Sequence, residues 1–398
     1  MKKIRRAVEK FIEAILFMSS TVTTITVLFI IYFLFSEGLG IFNSSPAEKK
    51  HILAVHSSNP VKELTSREVK DIFNGDITNW NKVGGNNDSI ILLTLNEIGN
   101  TYNEEQLGAN LERLPAIVDS TVIHTSGILA FFAPNNLPKD FHGKNIPISK
   151  VSLKEFFLGR EWYPTASPVA LFGVLPIILG TLWVTLGAIL LALPIGLITA
   201  IYLAEVADER LRNILKPLIE LLAGIPSVVY GFFGLVVLVP LIQRTFHLGV
   251  GETALAGSIV LAIMALPTII TITEDSIRTT PIYLKEASLA LGASHLQTLT
   301  RIILPYSRSG IIAAVILGIG RAMGETMAVL MVTGNAAVIP TSFLQPVRTI
   351  PATIAAELGE TAYGGVHFKA LFALGIILFV ITFGFNALVG LTRSKKQI

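Results

Sequence analysis

From Ala14 to Phe35 the chain runs without a charged side chain, and similar apolar runs follow at about 173–203, 214–243, 254–273, 309–334 and 370–391. At 1.5 Å of rise per helical residue, each can cross a hydrocarbon layer about 30 Å thick. That constraint outweighs any other in the sequence, because only helices or closed barrels satisfy their own backbone in lipid. Composition agrees: 52% of the 398 residues are hydrophobic and 15% are charged, against roughly 25% charged in an ordinary soluble domain. Six membrane helices are expected. The first is too long for a signal-peptide core, normally about 7–15 residues, and has no small-x-small cleavage site, so it reads as a retained helix. Pro194, Pro226 and Pro267 fall inside the runs, which predicts kinked helices whose freed carbonyls are satisfied by packed neighbours.

Six spans put both termini on one side. Lys2, Lys3, Arg5, Arg6 and Lys10 at one end and Arg393, Lys395 and Lys396 at the other predict that this side is cytoplasmic. The short loops on that side hold Arg210, Arg212, Lys216, Arg278, Lys285, Arg301 and Arg308, while the short outer loops hold only Arg244, Arg348 and Lys369. The expected topology is therefore multi-pass, with both termini cytoplasmic. A formal charge of +3 gives no footprint for nucleic acid, and the absence of Cys excludes disulfides, thiolate metal sites and Cys nucleophiles. The seven His never stand at i,i+3 or i,i+4, and neither H-E-x-x-H nor G-x-S-x-G occurs. No metal site and no catalytic residue is expected.

The long polar segment after the first span, about Glu37 to Pro168, reads as an α/β unit on the outer side. Ile52–Val55 predicts a strand, Ser66–Phe73 a helix opened by Ser as N-cap, Asn74-Gly75 and Gly84-Gly85 turns, and Ser89–Leu95 a second strand.

Between the fourth and fifth spans, Lys285–Leu291 predicts a short helix with Gly292 as its left-handed C-cap. Ser294 predicts the N-cap of a second helix stopping before Pro305. An amphipathic loop on the bilayer surface is the plainer reading. In the fifth span, Arg321 and Glu325 stand four residues apart, which places them on one helix face. Charges at membrane depth usually line a bundle interior or a watered path. The sharper reading is that an anion displaces Glu325 from Arg321; a buried ion pair that only orients helices is the alternative. Glu220 and Gly224-Ile225-Pro226-Ser227 predict a break, either a pore-lining hinge or a kink absorbed by neighbours. Glu274 and Asp275 read as solvated helix ends.

Glu286-Ala287-Ser288, three residues, Gly292, nine residues, then Ile302-x-Leu304-Pro305 resembles the EAA loop of ABC importer permeases at every interval. Ser288 stands where that pattern has a second Ala. The stretch from about Val151 to Thr392, with Phe156-FLGREWYPTASP and Leu317-GIGRAMGETMAV, resembles the C-type permeases of phosphate-specific ABC importers. The resemblance implies an all-α polytopic membrane protein with the type I ABC importer permease fold, six transmembrane helices and an α/β extracytoplasmic insert. It divides the chain into 1–36, an insert at 37–165, and a permease domain at 166–398 with a coupling loop at 276–308. It implies a non-catalytic subunit that binds no cofactor, with ATP and Mg on a dimer of partner ATP-binding subunits, a sister phosphate permease, an extracytoplasmic phosphate-binding protein and membrane lipid as further partners. Consistently, no G-x4-GK[ST] loop occurs; the one Gly-Lys pair, Gly143-Lys144, precedes Asn145.

The insert also resembles part of phosphate-binding proteins through Leu64-TSREVKDIFNGDITNWNKVGG. Where that family has a Ser-Gly-Thr-Arg grip, this chain reads Gly99-Asn100-Thr101-Tyr102. Tyr cannot supply the charged bidentate fork of Arg, so a degenerate docking or capping unit is expected over a receptor. Permeation of another oxyanion, molybdate or sulfate, and a membrane sensor using the insert remain alternatives.

Overall fold

The computed structural model describes residues 2–46, 51–108 and 110–394; Lys395 and Lys396, used above to orient the chain, lie outside the described residues. Two compact units emerge: an insert, Leu39–Gly173, and a helical unit made of the chain up to Gly38 and from Val174 onward. Among the described residues, six helical stretches are long and apolar enough to cross a membrane.

The first helix, α1 (Lys2–Leu39), leads into the insert. There β1 (Ile52–Val55), α2 (Ser66–Phe73), β2 (Ile91–Leu93), α3 (Leu95–Thr101), α4 (Glu104–Leu107), α5 (Leu114–His124), β3 (Ile128–Phe132), β4 (Lys144–Ile146), α6 (Leu153–Leu158), β5 (Trp162–Tyr163) and β6 (Leu171–Phe172) follow in order. The first four strands form one sheet in the order β2-β3-β1-β4, with β1 antiparallel to both neighbours and β2 parallel to β3. Strand alternation gives it two apolar faces. Leu53, Val55 and Leu129 join Val69 and Ile72 of α2 and Trp80 on one face, and Ala54, Ile128 and Ala130 join Val118 and Val122 of α5 on the other. Trp80 is fully buried, and its indole Nε1 donates to the Gly127 carbonyl at 2.8 Å, which removes the cost of hiding that donor.

Three local expectations change. Thr65, not Ser66, caps α2, because its hydroxyl accepts from Glu68 N while the Glu68 carboxylate accepts from Thr65 N. The second strand shrinks to Ile91–Leu93, since Thr94 and Glu97 close a capping box that turns Leu95 into helix. The insert runs on to Gly173, past 165, because Trp162 and Tyr163 pair with Phe172 and Leu171. Gly75 and Gly84 both have φ of 82°, matching the expected turns.

The helical unit continues with α7 (Leu175–Ile201), α8 (Glu209–Gly224), α9 (Ser227–Phe233), α10 (Val239–Phe246), α11 (Ala254–Arg278), α12 (Ile282–Ala290), α13 (His295–Thr298), α14 (Leu304–Gly324), α15 (Met327–Val332), α16 (Ile350–Glu357) and α17 (Val366–Ser394). Its centre is α11, packed between α7 and α14 through small residues. Ser258 Oγ donates to the Val184 carbonyl at 3.2 Å, and a Cβ on Gly310 would stand 1.9 Å from Ser276 Oγ. In lipid, where apolar burial drives little, such close backbone approach supplies the van der Waals contact. Helix α1 meets α17 through the Phe33–Phe372 and Phe35–Phe379 ring pairs.

Two expected spans are redrawn. The run at 214–243 is two elements: α8 keeps its charges beside the bundle, and the membrane-length stretch is Ser227–Phe246. The run at 309–334 is displaced to His295–Gly324, with a break at Glu325 before α15. The helix opened by Ser294 also fails to stop before Pro305. A π-helical turn over Leu299–Ile303 lets Leu304 N reach Leu299 O, and the helix absorbs the missing Pro305 N–H there.

Candidate functional site

The loop between α11 and α14 forms an elbow. Helix α12 ends on Gly292 with φ of +85°, where Gly292 N donates to Leu289 O and Ala293 N to Ser288 O, closing the orphan carbonyls as a Schellman-type end does. Ser294 then caps α13, and Gln297 returns the bond to complete the box. The predicted joint is therefore present in detail. Ser288, the one departure from the EAA pattern, uses its hydroxyl to bond Thr298 Oγ1 at 2.9 Å across the elbow. Thr298 is buried, so the pair ties the two arms together where the ordinary Ala would only fill space.

No residue of α12 is buried. Glu286 and Ala287 are exposed together with Ile282, Tyr283 and Leu291, the last 89% exposed, while Ser288 is half-buried. On the far arm Ile302 and Leu304 are half-buried and Pro305 is exposed. Apolar side chains displayed on a rigid joint mark a contact surface for protein or membrane. Lys285 anchors the joint by an ion pair to Glu205, in the π-helical turn that ends α7.

From His295 the elbow runs as one 30-residue helical rod to Gly324, about 45 Å at the rise of an α-helix. Arg321 lies in its last turn. The helix stops before Glu325, whose ψ is 132°, so Arg321 and Glu325 do not share a helix face as the spacing suggested. Gly324 and the extended Glu325 remove the i,i+4 geometry that a pair needs. Among the described residues no ion pair joins them; the half-buried Arg321 guanidinium makes one long hydrogen bond of 3.5 Å, to Thr268 Oγ1. Gly320 and Gly324 have nothing within 4 Å of where a Cβ would stand, chain neighbours aside.

The expected break at 224–227 is present. Ile225 is extended between α8 and α9, Gly224 and Pro226 are exposed, Ser227 is half-buried, and Glu220 points out from α8. Tyr230 Oη donates to the Leu222 carbonyl at 2.8 Å, bridging the gap and satisfying a helix-end acceptor.

Glu274 was expected at a solvated end, and the structure reverses this: it is 1% exposed. Its carboxylate accepts from Arg212 Nε at 2.8 Å and Lys216 Nζ at 3.1 Å, and Arg278 Nη1 stands at 3.9 Å. Burying a carboxylate costs free energy unless cations and hydrogen bonds offset it, and these partners do so. Lys216 also reaches Asp275 at 3.1 Å. Burial disfavours the Lys216 ammonium, but its bonds to Glu274 and Asp275 outweigh that and hold it above its ordinary value. Sequence inspection missed this clamp. Its trace is the i,i+4 spacing of Arg212 with Lys216 and of Glu274 with Arg278, which becomes informative only when α8 lies along α11.

In the insert, Gly99, Asn100 and Thr101 lie inside α3 and not ahead of it. The Thr101 hydroxyl donates to the Glu97 carbonyl at 2.8 Å, and the Glu97 carboxylate occupies the capping position at Thr94. The hydrogen bonds at Thr94 hold the Glu97 carboxyl below its ordinary value. The helix start is thus satisfied by the chain's own anion.

Residues 192–396 match the family model described as "Binding-protein-dependent transport system inner membrane component", and residues 38–121 match the "PBP superfamily domain". The probable ABC transporter permease protein YqgH of Bacillus subtilis (strain 168) is 41% identical over 251 residues, which is 63% of this chain and 81% of that protein. The phosphate transport system permease protein PstC of Mesorhizobium japonicum is 42% identical over 249 residues, 57% of this chain and 74% of that one. PstC of Xylella fastidiosa (strain Temecula1) is 40% identical over 264 residues, 61% of this chain and 80% of that one.

Proposed function

This chain belongs to the family of binding-protein-dependent transport system inner membrane components, and we propose from that premise that it is the permease subunit of an ATP-driven phosphate importer. The observation that carries the reading is the Gly292 elbow: a rigid, exposed joint with an apolar display, continuous with a helical rod whose last turn holds Arg321. Both termini and the elbow face the cytosol in this reading, where a dimer of ATP-binding subunits receives Glu286, Ala287, Ser288 and Gly292, and a sister phosphate permease completes the pathway. An extracytoplasmic phosphate-binding protein delivers the substrate. Relatives named as phosphate permeases support that substrate.

The chemistry follows from charge. Arg321 keeps its guanidinium free of Glu325, so an oxyanion meets a preformed donor fork and need not displace a carboxylate. Movement of the rod carries Arg321 with the elbow, while Gly324 and the 224–227 break let adjoining segments lag. Binding is thereby coupled to the position of the joint. The insert acts as a docking or capping unit, a role supported by the Thr101 hydroxyl already spent on its own helix.

The test is reconstitution with the sister permease, the ATP-binding subunits and the binding protein, followed by ATP-dependent uptake of labelled phosphate against molybdate and sulfate. Phosphate uptake that is lost in Arg321→Gln, with the complex still assembled, supports the reading. Uptake restricted to molybdate or sulfate refutes the substrate, and unchanged uptake in Arg321→Gln refutes the role of that residue.

A further inference from the structure

We infer that helix α6 and its flanks form a contact surface for anionic phospholipid headgroups. The six residues of α6 are divided between core and surface. Phe156 is buried in the insert, while Leu153, Phe157 and Leu158 are 62%, 41% and 60% exposed. Three exposed apolar side chains on so short a helix are more than a solvated surface needs.

The exposed, unpaired charges around them have one sign. Lys150, Lys154 and Arg160 are all exposed, and none makes an ion pair among the described residues. The acids nearby are engaged elsewhere: Glu161 pairs with Lys70, and Glu155 is half-buried. Exposed aliphatic and aromatic groups interleaved with free Lys and Arg fit the bilayer interface, where the apolar bodies enter the acyl boundary and the cations remain among the phosphates.

Chain continuity selects lipid over a soluble partner. Val151 N donates to the Ser44 carbonyl at 3.3 Å, and the Phe156 ring meets Phe42 edge-on at 5.5 Å. Phe42 falls within the apolar span Lys10–Asn43. At the other end, a Cβ on Gly159 would stand 2.6 Å from the Gly173 Cα, and Gly173 N donates to the Glu161 carbonyl at 2.8 Å. Gly173 is followed within two residues by α7. Helix α6 is therefore pinned to the exit of one span and the approach to the next, within reach of a headgroup layer several Å thick on each side of the hydrocarbon.

The chain contains no Cys, so a single introduced thiol reports cleanly. Leu158→Cys in the full chain, labelled with an environment-sensitive fluorophore, is placed in nanodiscs of phosphatidylcholine alone or with phosphatidylglycerol, with nitroxide-headgroup lipid as quencher. Leu153→Cys serves as a second position should the first variant fold poorly. The expected result is loss of about half or more of the emission in the anionic discs. Joint reversal of Lys150, Lys154 and Arg160 to Glu should weaken the quenching, since each such charge is worth about fivefold near an anionic surface. Emission that no lipid nitroxide quenches overturns the proposal, whether the label stays in water or is blue-shifted beneath a protein. Quenching indifferent to both lipid charge and the triple reversal overturns the anionic headgroup as its partner.

Discussion

Substitution of Gly292 by Ala tests the elbow at its joint. The residue sits at φ +85° with no atom within 4 Å of where a Cβ would lie. Steric crowding is therefore absent, and the whole cost is the left-handed backbone, about 1–2 kcal/mol for an L-residue. That lowers the population of the native elbow about 5–30-fold relative to alternatives that straighten α12 into α13. The elbow is outside the buried core, so assembly and melting temperature should change little, while coupling suffers. The assay is ATP-dependent substrate uptake per ATP hydrolysed by the reconstituted complex, with Gly292→Asn alongside. Asn tolerates this region better than Ala, so uptake should rank Gly, then Asn, then Ala. Coupling in the Ala variant equal to the parent, or no advantage of Asn over Ala, would refute the claim that this backbone geometry matters.

Replacing Glu274 by Ala leaves Arg212 and Lys216 facing each other, at a cost of about 2–3 kcal/mol, discounted from the fully buried case because both cations keep some solvent and Lys216 keeps Asp275. Faster hydrogen exchange along Glu209–Gly224 is the expected readout, and unchanged protection would reject the clamp. Ser288→Ala should cost about 0.5–1.5 kcal/mol, and Ser288→Ala with Thr298→Val less than the sum of the single changes, because no hydroxyl is then stranded; strict additivity of apparent stabilities in detergent would argue against the bond. Burial pushes the Glu155 carboxyl above its ordinary value, although Ser66 and Arg67 oppose the shift. The folded state then holds that proton more tightly than the unfolded chain, so stability is lost as pH rises from the ordinary carboxyl value of 4.5 through the raised one. Glu155→Gln should accordingly gain thermal stability over the parent at pH 8 more than at pH 4; equal gains would contradict it.

The elements read most faithfully from sequence were those set by local backbone chemistry. Ile52–Val55 and Ser66–Phe73 appear with the expected bounds, and Gly75, Gly84 and Gly292 all take the left-handed φ that their neighbours require. Element ends were less legible where two local signals competed. At Thr65 and Thr94, hydroxyl caps reinforced by Glu three residues on displaced the expected start or shortened the strand. Pro305 read as a helix stop because an isolated α-helix loses a bond there, and the π-helical turn that absorbs the loss has no simple sequence signature.

What the linear chain determined by itself is the count of membrane-length apolar helices, the insert between the first two, and the spacing of the glycine elbow, since hydrocarbon thickness and φ preference act on consecutive residues. Tertiary structure decided which charges meet. Glu274 is clamped by Arg212 and Lys216 from a helix some sixty residues earlier, with the two bonds joining residues 62 and 58 apart, whereas Arg321 and Glu325, four apart, are separated by a helix end. Electrostatic attraction falls with distance through space and not along the chain, so a pairing exists only once packing has fixed where each helix starts, bends and stops.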